Sequence, residues 1–238
     1  GIEVAAQQLS SRFEAESGNQ QVAGLAALSW VRRILPECIS NQSWESLLVR
    51  TLDLQDSEGW YQEYGGPDLG YLSVTIDCLW DAFDASKDER LLVSAVKSFE
   101  FIEKMTANTG GHSIGMHNSR NTDYLVPYGI SRFAVAQEMP SMNLRALKLL
   151  QNLFLTSDQC DHFFSAVDDR YWCHYIGLSV MRSIQCLSEV NLKTTDANVK
   201  EKLTKTDYLP SSGYLWAHSD DGKIVVLIST KKGGNLTT

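Results

Sequence analysis

The stretch Gln20-Gln21-Val22-Ala23-Gly24-Leu25-Ala26-Ala27-Leu28-Ser29-Trp30-Val31-Arg32-Arg33-Ile34-Leu35-Pro36 sets the reading of the whole chain. Val22, Leu25, Ala26, Leu28, Val31 and Leu35 fall on one arc at helical period, which predicts a helix over 20–35, and Pro36 ends it. Working outward, residues 2–17 and 43–54 read as helices, and 69–85 carries Leu72, Thr75, Leu79 and Phe83 at the same spacing. Ser86 and Glu89 form an S-x-x-E capping box that opens the next helix, with Leu92, Ala95, Phe99 and Ile102 inside it. Further helices are expected over 124–137, over 141–155 (Leu144, Leu147, Leu150, Phe154) and over 170–190 (Leu178, Met181, Ile184, Leu187). Helix pairs thus recur about every fifty residues without repeated identity, which predicts an all-α fold of antiparallel helix hairpins.

The connections alternate in length. Short links at 36–42, 86–88 and 139–140 alternate with long ones at 56–68, 106–123 and 157–169, so helices that alternate in direction put every long loop at one end. The break at Gly18 and Asn19 has the same parity. One rim is therefore expected to collect Asn19, Trp60, Tyr61, Glu63, Tyr64, His112, His117, Arg120, Asn121, His162 and Asp168. Long loops in compact domains are more often functional than not.

The pattern changes after Asn191. Residues 214–218, the turn Ser219-Asp220-Asp221-Gly222, and 223–230 read as a short C-terminal β-hairpin. The expected organisation is a helical domain over 1–192 and a linker with hairpin over 193–238. A lone hairpin is marginal in water, so it either packs on the helices or begins a β-domain downstream.

Composition narrows the function classes. A net charge of −8 argues against nucleic acid or an anionic membrane as partner, since phosphate neutralisation needs clustered Lys and Arg. No apolar run is long enough to span a bilayer. Cys38, Cys78, Cys160, Cys173 and Cys186 are odd in number and lack framework spacing, which favours a reducing, cytoplasmic compartment over a periplasmic one. Cys160, His162, Cys173 and His174 match no zinc spacing, so neither a metal nor another cofactor is expected.

Two stretches carry chemistry. Residues 57–71, Ser-Glu-Gly-Trp-Tyr-Gln-Glu-Tyr-Gly-Gly-Pro-Asp-Leu-Gly-Tyr, pack aromatics and acids before a helix, and flat aromatic faces flanked by carboxylates suit sugar rings. Trp60, Tyr61, Glu63, Tyr64 and Asp68 are therefore candidate substrate-binding residues, although Asp68 also reads as a helix N-cap and the aromatics as inward packing. Residues 110–122 bring His112, His117, Arg120 and Asn121 onto a glycine-rich loop. His exchanges protons near neutral pH, and Arg clamps a carboxylate through two bonds. The Gly111-His112-Ser113-Ile114-Gly115 run matches a nucleophile elbow in letters only, because a helix rather than a strand precedes it.

The helix hairpins, the Gly-Trp-Tyr-Gln-Glu-Tyr-Gly-Gly-Pro-Asp-Leu-Gly-Tyr loop of 59–71, and the strand followed by Lys231-Lys232-Gly233-Gly234 together resemble the heparinase II/III-like polysaccharide lyases. The resemblance covers most of the chain. It implies an incomplete α/α toroid followed by the first strands of a β-sandwich, and a carbohydrate substrate. It further implies that Asn19 neutralises a uronate carboxylate and that Tyr71, with Tyr64 as the fallback, acts as base and acid in a β-elimination. Arg120 would help stabilise the developing enolate, and His117 stands among the catalytic candidates. Gln20 and Leu72 stand where the family carries His. A non-catalytic glycan-binding or scaffold domain is the alternative, and a toroid of the prenyltransferase type ranks last because no D-D-x-x-D pair is present.

Overall fold

The computed structural model describes residues 1–106, 125–137, 139–154, 172–188, 206–218 and 224–229. These are mostly helical: α1 (Ile2–Ser11), α2 (Gly18–Ile34), α3 (Asn41–Leu52), α4 (Leu69–Ser86), α5 (Glu89–Thr106), α6 (Tyr128–Val135), α7 (Pro140–Phe154) and α8 (Gly177–Ser188). A 3-10 turn, Pro36–Cys38, follows α2, and a π-helical turn, Trp172–Ile176, leads into α8. The tail forms a three-stranded antiparallel sheet, β1 (Thr206–Leu209), β2 (Tyr214–His218) and β3 (Ile224–Ser229), in chain order. No described helix is long and apolar enough to cross a membrane.

The centre is α2 packed on α4, with Val22, Leu25, Leu28, Leu72, Ile76 and Leu79 buried between them. On one side Trp44 of α3 donates its Nε1–H to Ser29 Oγ at 3.1 Å, and Gln21 Nε2 donates to Thr51 Oγ1 at 3.0 Å. On the other side α6 crosses α4 at Gly129, where a Cβ would lie 2.6 Å from Ile76 Cγ2 and 2.9 Å from the Asp77 nitrogen. Only glycine permits helices to approach so closely.

Three sequence expectations are corrected. The first helix stops at Ser11, not at residue 17, because the segment that follows is drawn into tertiary bonds: the Glu14 N–H goes to Gln21 Oε1, and the Glu16 carbonyl accepts Tyr64 N–H at 2.8 Å. Ser86 belongs to the last turn of α4, where its hydroxyl donates to the Ala82 carbonyl, so the S-x-x-E box does not form. Asp88 caps α5 instead, its Oδ1 accepting the Arg90 N–H at 3.0 Å. The tail gains a strand, since Thr206–Leu209 pairs with β2 in the register Leu209↔Tyr214, a region read as linker from its polar composition.

In α8 the periodicity identifies a helix but not its orientation. Leu178, Met181 and Ile184 are 56–64% exposed, while Ser179, Val180 and Ser183 face inward. Ser183 and Ser131 of α6 bond hydroxyl to hydroxyl across this contact.

Leu209 and Tyr214 are buried in the same apolar core as the helices, so the described part of the tail packs on the helical body. Its turn is stapled there. Glu58 accepts N–H bonds from Ser211 at 2.6 Å and Ser212 at 3.0 Å, and Asp56 accepts the Ser211 hydroxyl.

Candidate site at the helix N-termini

Residues 53–68 connect α3 to α4 and fold back as a ladder of single bridges, Gln55↔Tyr61, Glu63↔Gly66 and Ser17↔Glu63. The last bridge brings the break before α2 against this loop, where Gly18 N–H donates to the Gln62 carbonyl at 2.8 Å. The N-terminal turns of α2 and α4 thereby come to one end. A glycine is required at position 18, since a Cβ would meet Tyr61 Cβ at 2.8 Å.

Ser17, the residue before α2, makes no side-chain cap of its own. Glu63 supplies it from the loop, with Oε1 accepting Asn19 N–H at 2.7 Å and Oε2 accepting the Ser17 hydroxyl at 3.0 Å. Burial penalises the charged carboxylate more than these bonds favour it, and nearby Asp68 adds repulsion, so the Glu63 carboxyl is pushed up to about 7.

Asp68 is fully buried and caps α4, its Oδ1 accepting Tyr71 N–H at 2.9 Å. Tyr71 follows on the first turn of α4, half-buried, and Asn19 occupies the matching turn of α2, also half-buried.

The remaining candidates divide by accessibility. Tyr61 is buried, with its hydroxyl bonded to Ser94 Oγ at 2.8 Å, and desolvation raises its phenol well above the usual range. Trp60 is buried and donates Nε1–H to Glu58 at 3.2 Å. Tyr64 is 52% exposed and adopts a left-handed backbone at φ 51°, unusual for an aromatic residue. His112, His117, Arg120 and Asn121 lie outside the described residues, as do His162 and Asp168.

Sequence reasoning did not single out Asp56 as a staple or Glu58 as the acceptor for the tail, because their partners lie more than 150 positions away. It also passed over the C-terminal end of α4, where a cavity of about 890 Å³ opens among Trp80, Phe83, Leu92, Arg132 and Met139. Among the described residues, no cluster of three or more His, Cys, Asp or Glu is arranged to hold a metal.

Compared with known proteins, the chain matches no family model, no curated protein and no solved structure.

Proposed function

We propose that this chain is a polysaccharide-active protein with the α/α toroid arrangement, a lyase-like enzyme that cleaves a uronate-containing glycan by β-elimination. One observation supports the reading above the others. Asn19 and Tyr71, each given a role by the family resemblance, occupy the first turns of two adjacent helices and are linked through Glu63 and Asp68.

In this mechanism Tyr71 removes the proton beside the uronate carboxylate. Asn19 and Arg120 stabilise the negative charge of the enolate that forms. The electron pair then moves into a carbon–carbon double bond as the glycosidic carbon–oxygen bond breaks, and the proton held by Tyr71 passes to the departing oxygen. The half-exposed Tyr71 and the exposed Tyr64 are the aromatic residues of the loop that solvent, and hence a glycan, reaches.

A second reading, glycan binding without turnover, draws on a specific observation. Glu63 and Asp68 are buried and spent on capping α2 and α4, which takes them from any chemistry on a glycan, while Tyr64 stays exposed to meet one.

Incubation with a panel of uronate polysaccharides, followed by ultraviolet absorbance of unsaturated uronate ends, tests the proposal. Product that disappears in Tyr71→Phe while the helical circular dichroism is retained supports the lyase. Retained activity in that variant refutes the role of Tyr71, saturable binding without product selects the second reading, and silence in both assays refutes both.

A further inference from the structure

Beyond the rim, α4 presents a face on which acids recur at Asp77, Asp81 and Asp84, and the helices packed against it answer with two arginines. Asp84 holds Arg132 of α6 in a fork, Nη1 to Oδ2 at 2.5 Å and Nη2 to Oδ1 at 3.0 Å, and Nη1 also donates to the Tyr128 hydroxyl at 2.8 Å. Asp81 holds Arg182 of α8 through both terminal nitrogens, Nη1 to Oδ2 at 3.0 Å. Each guanidinium also lies over a ring, Arg132 4.5 Å from the Trp80 centroid and Arg182 3.6 Å from that of Tyr128. Fork and stack together fix side chains that would otherwise sample many rotamers.

A guanidinium carries five N–H donors. The bonds above use three on Arg132 and two on Arg182, leaving donors on both. The two arginines line a cavity of about 480 Å³, together with Tyr128, Gln137 and Gln185, and no carboxylate is among its lining residues. Each arginine is neutralised by its aspartate, so the cavity offers oriented N–H donors and no net positive charge. Arg132, Val135 and Gln137 also line the 890 Å³ cavity, so the two spaces adjoin. The wall of the larger one is apolar along Trp80, Leu92, Val96 and Met139.

We propose that the adjoining cavities bind an amphipathic organic anion. Its carboxylate or phosphate oxygens take the remaining donors of Arg132 and Arg182, and its apolar body lies in the larger cavity. Each of the two spaces is by itself of the size that holds a small organic ligand. The site lies at the end of α4 away from Tyr71 and does not rest on the glycan reading.

Calorimetric titration of the intact chain with naphthoate, with its uncharged amide, and with inorganic phosphate tests the proposal. Naphthoate is expected to bind at least about tenfold more tightly than the amide, the usual contribution of charge-assisted bonds. Arg182→Lys, which keeps the charge and removes the fork, should weaken naphthoate several-fold. Val93→Trp, at an exposed position on the larger cavity, should weaken naphthoate and leave phosphate unchanged. Equal affinity for acid and amide, naphthoate binding indifferent to both substitutions, phosphate bound in preference to naphthoate, or no binding by any of the three overturns it. Circular dichroism of each variant verifies the fold, and Val93→Trp keeps the test decisive should Arg182→Lys not fold.

Discussion

The carboxylate of Glu63 receives the backbone N–H of Asn19 across 44 positions of chain and thereby caps α2. Because burial holds this acid near 7, against an ordinary 4.5, the folded chain keeps a proton that the unfolded chain releases between those values. The resulting stability is fully present below about 4.5 and is lost as pH rises through 7. Asp77, buried and pushed up to about 7 despite bonds from Ser179 and Gly129, acts in the same direction. Thermal unfolding followed across this range should show a falling midpoint. Glu63→Gln, which keeps an acceptor for Asn19, should remove on the order of 3 kcal/mol of that pH dependence, and Asp77→Asn should reduce it further.

The tail staple yields a second expectation. Glu58 accepts from Ser211, Ser212 and Trp60 at once, so Glu58→Ala strands three donors. A loss of about 2 kcal/mol is expected. Amide hydrogen exchange should quicken at Ser211 and Ser212 while protection within α2 and α4 stays unchanged.

Gly59 has φ +104°, and a Cβ there would lie 2.2 Å from the Lys97 carbonyl oxygen of α5. Gly59→Ala combines a disfavoured backbone with a backbone clash, so a loss of more than about 3 kcal/mol is expected. Denaturant titration gives the value, and a change below about 1 kcal/mol would contradict the geometry.

Asp84 and Arg132 are each about a quarter exposed, so their pairing is discounted relative to a dry ion pair. Asp84→Ala leaves Arg132 uncompensated beside Trp80 and should cost about 2 kcal/mol. Adding Arg132→Met should restore most of the loss, because the apolar side chain packs where the cation stood. A double-mutant cycle measures the coupling.

How much of this was readable beforehand follows from the range of each interaction. The helices α2, α4 and α5 announce themselves in the spacing of Leu25, Leu72 and Phe99, since a buried face needs apolar residues once per turn. Link lengths put the break at Gly18 and the 56–68 loop at one end, whereas Tyr71 was named only by the family resemblance. What sequence could not convey was the partner of each polar side chain. Glu63 looks like a sugar-facing acid until Ser17 and Asn19 come within bonding distance, and Trp60 and Tyr61 look like a stacking platform until Glu58 and Ser94 take their polar atoms. In α8 the stripe of Leu178, Met181 and Ile184 signals a helix correctly, yet the inward face is set by Ser179 bonding to Asp77, which spans 102 positions. The arginine-lined cavity is built from side chains of two helices, α6 and α8, that lie about fifty positions apart and form no local motif.

The bond between Glu58 and Ser211 also orders events in time. It closes a loop of 153 residues, so its entropy cost is met only after the local helix pairs have formed. On the ribosome, at ordinary elongation rates, roughly ten to thirty seconds pass between synthesis of the two residues. Throughout that interval Asp56 and Glu58 stand at an unfinished edge of the helical body. A chain that stops short of Leu209 and Tyr214 would leave that edge unstapled and the apolar surface these two residues cover open to solvent.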